Sequence, residues 1–170
     1  MSVADKLTII AENEQKVYKA GMNAERTNIW ESVQKNGKRK GYTYGFAGSS
    51  WTDDTYFPIY DIVCDGTNAA NHMFLYNDGV TDVKVTVILK NSVSTNAFAY
   101  SNIKRIPLIK LVGNVSFNTS FDGASALEYI RFAIPEDYPD ENLARIQNNI
   151  AFDDSPKLSK DSIENIIECL

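Results

Sequence analysis

Residues 119–132 read TSFDGASALEYIRF: a phenylalanine, a polar turn holding one glycine, a lone leucine, then a short run alternating apolar and polar residues. Three other stretches keep this order. They are MFLYNDGVTDVKVTVI (73–88), NAFAYSNIKRIPLI (96–109) and NIAFDDSPKLSKDSI (149–163). Their phenylalanines are Phe74, Phe98, Phe121 and Phe152. The first two steps are 24 and 23 residues, and the third, 31, holds an insertion around PEDYPDEN (135–142). A period in the low twenties is the length of one leucine-rich turn. One such unit cannot bury its apolar face alone, so successive units stack and share a core. The expected repeat core is Phe74, Phe98, Phe121, Leu127, Ile130, Phe132 and Phe152. Within the first repeat, Val83, Val85 and Val87 alternate with Lys84 and Thr86, which predicts a half-buried strand.

The flanks differ in texture. Residues 2–36 lack proline and are rich in Ala, Glu, Lys and Gln, so they predict a long helix with Ser2 as its cap. Val3, Ile10, Val17 and Ala24 recur every seven residues, with Leu7 one turn after Val3. This stripe is thin, and Glu14, Gly21 and Asn28 interrupt it. Such a helix either lies along its own domain or pairs with copies of itself, and self-association, as a homotrimer, is the expectation. Lys38, Arg39 and Lys40 follow Gly37, as positive charge does at a helix C-terminus.

Residues 44–60, YGFAGSSWTDDTYFPIY, crowd aromatics among turn-formers with neither helical nor strand periodicity. Two roles are open to them. They can be buried as the cap of the first repeat, or Trp51 and Tyr56 can be exposed to stack on a ligand such as a sugar. At the other end, Ser159 can cap a short amphipathic helix that places Ile163, Ile166, Ile167 and Leu170 on one face. The fold class is thus α+β. A long N-terminal helical segment (1–40) is followed by an aromatic-rich cap (41–72), then by a short, irregular leucine-rich-repeat-like β-solenoid with a C-terminal capping helix (73–170).

The composition excludes several function classes. With 44% hydrophobic residues in 170, the chain can bury a sizeable core. Its net charge of −5 argues against nucleic acid as a partner, since phosphate binding needs clustered cations. No run approaches the roughly 20 apolar residues of a membrane span, and no secretory signal is expected from MSVADKLTII. Cys64 and Cys169 lack metal-ligand spacing and read as idle thiols. His72 is the single histidine, and no nucleophile motif accompanies it. The acidic pairs Asp53-Asp54 and Asp153-Asp154 lack calcium-loop spacing. No catalytic residue, metal or cofactor is therefore assigned.

Two resemblances add to this reading. SFDGASALEYIRF resembles a turn of the BspA-like leucine-rich repeat family, matching at Phe121, Leu127, Ile130 and Phe132, with Ala124 where Cys is usual. The stretch with Phe46, Gly48, Trp51, Asp53, Phe57, Pro58 and Tyr60, preceded by a long helix, is similar to the N-terminal region of tail-associated prophage proteins of Gram-positive gut bacteria. LSKDSIENII resembles their closing helix. The resemblance implies a non-enzymatic virion component of the tail, baseplate or fibre. Its partners would be its own copies, other virion proteins and a host-surface glycan or protein. A bacterial cell-surface adhesin and a glycan-binding or glycan-hydrolysing protein are the alternatives.

Overall fold

The computed structural model describes residues 42–56, 58, 61–134, 144–146 and 150–170. The expected N-terminal helix and its stripe, Val3, Leu7, Ile10, Val17 and Ala24, lie outside them, as do Phe57, Tyr60 and the insertion. The described chain coils into a β-solenoid closed by one helix. Its main sheet has four parallel strands in the order β1 (Ile62–Asp65), β2 (Thr86–Lys90), β4 (Arg105–Val112) and β6 (Tyr129–Phe132). A second parallel pair, β3 (Val93–Thr95) and β5 (Ser116–Asn118), runs beside it. Each long strand belongs to one coil, and the same residue of each coil falls in register.

Register explains why so short a repeat holds a core. Ile62 pairs with Val87, Val87 with Ile109 and Ile109 with Phe132, and all four are fully buried. Cys64, Leu89 and Leu111 make a second buried column. Because side chains alternate along a strand, these columns face inward together. Val80, Ile103 and Leu127 form the buried position that precedes each strand.

Opposite the sheet, phenylalanines stack in one ladder. Ring centroids are 4.9 Å apart for Phe46 and Phe74, 5.7 Å for Phe74 and Phe98, 5.5 Å for Phe98 and Phe121, and 4.6 Å for Phe121 and Phe152. Backbone bonds follow the same steps. The N–H groups of Phe46, Phe74 and Phe98 donate to the carbonyls of Met73, Ala97 and Ser120 in the next coil. Burying one such ring contributes about 1.5–3 kcal/mol.

The ladder begins one rung earlier than the repeats suggest. Phe46 lies in the stretch expected to cap the first repeat, and that stretch forms a coil of its own, completed by β1. Its turn-rich sequence hides this, because the loop before the strand is long and irregular. A second difference concerns Val83 and Val85. They precede β2 instead of lying in it, because Lys84 adopts φ +67° and Val85 N–H donates to Val83 O at 2.9 Å. The neighbouring strand is irregular at the same level. Ile106 pairs with Ile130, and Ile109 with Phe132, across a register shift at Pro107, which has no N–H to give to a ladder.

Helix α1 (Lys160–Glu168) begins at Ser159, whose Oγ accepts the Ser162 N–H at 3.2 Å. The sequence placed four apolar residues on its buried face. Of these only Ile166 is buried, while Ile163, Ile167 and Leu170 are exposed. The face that packs inward carries Ser162 and Asn165 instead. Ile130 N–H donates to Ser162 Oγ at 3.0 Å, Phe132 N–H to Asn165 Oδ1 at 2.7 Å, and Asn165 Nδ2 to Phe132 O at 2.9 Å. An edge strand must place its N–H and C=O groups somewhere, and two side chains one helical turn apart take the role of a further strand.

Candidate functional site

The loop that carries each phenylalanine repeats a strained backbone. Two residues before the ring, Tyr44, His72, Asn96 and Thr119 have φ of 54°, 55°, 52° and 52°. Two residues after it, Gly48, Tyr76, Tyr100 and Gly123 have φ of 80°, 54°, 51° and 61°. The geometry suits glycine, and asparagine tolerates it, but a bulky residue there costs about 1–2 kcal/mol. Gly48, Gly123 and Asn96 satisfy it without that strain. Three tyrosines in these columns are therefore not what the backbone asks for.

Nor does burial account for them. Tyr44, Tyr76 and Tyr100 are 58%, 61% and 53% exposed, the most open aromatics of the described solenoid. Their rings stack along the coil axis. Tyr44 lies on His72 at 4.6 Å and 22°, and Tyr76 on Tyr100 at 5.3 Å and 23°. Such contacts return about 0.5–1.5 kcal/mol, comparable with the strain. The result is two stacks of exposed rings, Tyr44 on His72 and Tyr76 on Tyr100, carried by the same loops and together forming a tyrosine ridge. The N–H groups of Tyr44, Tyr76 and Tyr100 donate to Asn71 O, Ala99 O and Asp122 O of the next coil. Strain of this kind collects at working surfaces.

The two residues that were candidates for surface contact lie elsewhere. Trp51 and Tyr56 are buried, 1% and 0% exposed. Phe46 meets Trp51 at 5.1 Å and Tyr56 at 5.2 Å, both edge to face, and Tyr42 stacks on it at 5.8 Å. Tyr56 also donates its hydroxyl to Val83 O at 2.8 Å. Of the two roles open to this strip, the buried one is observed, because Phe46 at the end of the ladder needs rings around it. Phe74, Phe98, Phe121, Leu127, Ile130 and Phe132 are buried, and Phe152 is partly so.

One carboxylate of each acidic pair has a structural partner. Asp53 accepts the Thr81 N–H and the Thr81 hydroxyl, each at 2.7 Å, and so ties the first coil to the second. Asp154 accepts the Gly123 N–H at 2.9 Å. His72 is covered by Tyr44, and its Nδ1 is buried without a hydrogen bond among the described residues. Cys64 and Cys169 are buried. Among the described residues, no group of His, Cys, Asp and Glu could hold a metal ion, and no helix is long and apolar enough to cross a membrane.

The tyrosine ridge was legible in one signal only. When the repeats are aligned on their phenylalanines, Tyr76 and Tyr100 share a column with Gly123. A glycine in that column announces positive φ, and tyrosines beside it are then anomalous. No family model, curated protein or solved structure matches the chain.

Proposed function

We propose that this chain is a non-enzymatic structural component of a phage virion, of the tail, baseplate or fibre, whose solenoid is a contact module. In this reading the coils are BspA-like leucine-rich repeats, and the segment 1–40 joins copies into a trimer or docks them on the particle. The observation that carries the contact role is the exposed ridge of Tyr44, Tyr76 and Tyr100, strained and yet unburied. Tyrosine gives large, stiff contact area at little cost in side-chain entropy, as it does in antibody loops. The match of Phe46, Gly48, Trp51, Asp53, Phe57, Pro58 and Tyr60 to the prophage tail pattern supports the particle role. The ridge then faces a host surface or a neighbouring virion protein.

A cell-binding assay tests the contact role. Labelled protein is expected to bind some members of a panel of Gram-positive gut bacteria, or the isolated phage particle. The triple variant Tyr44→Ala/Tyr76→Ala/Tyr100→Ala should bind neither. Undiminished binding by the triple variant would show that the ridge is not the contact surface. Light scattering tests the assembly role: the full chain should be a trimer, and a chain starting at Tyr42 a monomer.

A further inference from the structure

We infer that the groove between α1 and the segment before it receives residues 29–33 of a neighbouring copy, with Trp30 as the inserted side chain. This rests on the reading of segment 1–40 as the joint between copies, and it names the surface that the joint engages.

The groove exists because of how α1 caps the sheet. Ser162 and Asn165 take the side that meets β6 and bond its backbone. Ile163 and Ile167 are left 46% and 63% exposed. With Ile166 they line a groove of about 320 Å³, whose other apolar walls are Phe152, Pro156 and Leu158. Ser155 also lines it, and its hydroxyl is already given to Ala124 O at 3.1 Å. The lining therefore offers apolar surface and little to a polar ligand. Open apolar surface with a charged rim is the form that a contact between proteins takes.

Charge identifies the occupant. Residues 42–170 hold nine Lys and Arg against seventeen Asp and Glu, net −8, while residues 1–41 hold eight against five, net +3. The contrast is sharp at the two surfaces that would meet. Around the groove, Asp153, Asp154, Asp161, Glu164 and Glu168 are exposed, against Lys157 and Lys160. Lys160 is paired with Glu164 at 3.3 Å. Residues 25–40 carry Arg26, Lys35, Lys38, Arg39 and Lys40 against Glu25 and Glu31. Within that basic stretch, Ile29, Trp30 and Val33 have the spacing of one helix face, apart from the stripe that runs from Val3 to Ala24. Tryptophan is the kind of side chain that anchors an interface by filling a pocket. Segment and groove are unlike surfaces, and an unlike contact repeated about a three-fold axis closes a ring. Groove against groove would instead bring like charges together.

Light scattering of the full chain over a dilution series reads the concentration at which trimers dissociate. Ile167→Lys and Trp30→Ser should each raise that concentration about tenfold or more, and Ile167→Leu should leave it where it is. Because Ile167 is exposed, Ile167→Lys should fold, which circular dichroism checks. A second measurement titrates a labelled peptide of residues 22–41. It should bind the full chain carrying Trp30→Ser, whose own segment cannot fill the groove, and not the chain carrying both Trp30→Ser and Ile167→Lys. If folded Ile167→Lys dissociates where the parent does, or if the peptide does not distinguish the two chains, the inference is wrong and segment 1–40 still stands as the joint. A full chain that is monomeric at every concentration would overturn the reading of segment 1–40 itself, and this inference with it.

Discussion

The rings of Phe98 and Phe121 lie 5.5 Å apart and within 10° of parallel, each at the same place in successive coils. Phe121 also meets Phe117 at 5.8 Å and Phe152 at 4.6 Å. Removing it would leave a cavity touching three other rings, and coils whose backbones are tied to one another cannot collapse to fill it. We expect Phe121→Ala to cost about 3–5 kcal/mol in urea unfolding. Phe152→Ala, at a partly exposed end of the ladder, should cost clearly less. Equal losses at the two positions would mean that the ladder does not act as a stack.

Asn165 does for β6 what a neighbouring strand would do. Asn165→Leu keeps the volume of the side chain but removes the partner of Phe132 N–H and the amide bond to Phe132 O, which keeps only the weak Cys169 Sγ contact at 4.0 Å. Leaving such groups unpaired costs about 1–3 kcal/mol each. Exposed Ile163, on the same helix, can be changed to Ala at a cost near zero. Urea midpoints for the two variants should therefore rank opposite to what apolar burial of the helix would give.

Tyr56 makes alkaline stability a reporter of the buried cluster. Burial raises its pKa well above the ordinary 10.0, and the Asp82 carboxylate and Tyr42 add to the effect. The folded state therefore keeps the phenol neutral where the unfolded chain ionises. The stabilisation is whole below pH 10 and is lost as pH climbs from there toward the folded-state value. Tyr56→Phe should lose about 1 kcal/mol at neutral pH, through the bond to Val83 O. Its stability should then fall less steeply above pH 10 than that of the parent chain.

Tyr76 should be dispensable for folding. Tyr76→Asn relieves the strain of a bulky residue at φ 54° and gives up one stacked ring pair, two terms of similar size. We expect its thermal stability to stay within about 1 kcal/mol of the parent while binding to cells or to the particle weakens. A large drop in melting temperature would assign Tyr76 to the core instead.

Much of the solenoid could be read from residue order. The order of Phe74, Phe98 and Phe121, then Val80, Ile103 and Leu127 five or six residues on, then a strand, is local and recurs in each coil. The first coil could not be read in this way. Phe46 is followed by a long turn-rich loop before Ile62, so the local pattern that marks the other coils is absent. The site was missed for a related reason. Trp51 and Tyr76 look alike as exposed-or-buried candidates in a sequence, because an aromatic side chain suits either place.

What the sequence by itself determined is the repeating unit: a ring that must be buried, a turn, and a strand with one apolar face, too small to stand alone. Those are consequences of side-chain chemistry and short-range spacing. Only the tertiary structure decided which rings complete the core and which remain outside. Packing within the first coil puts Trp51 and Tyr56 against Phe46, and Ile163 and Ile167 of α1 face outward while Ser162 and Asn165 bond β6. Register between coils sets Tyr44, Tyr76 and Tyr100 at positive φ on the open face. Backbone hydrogen bonds between neighbouring coils are non-local, and their demands override the preference of any single residue.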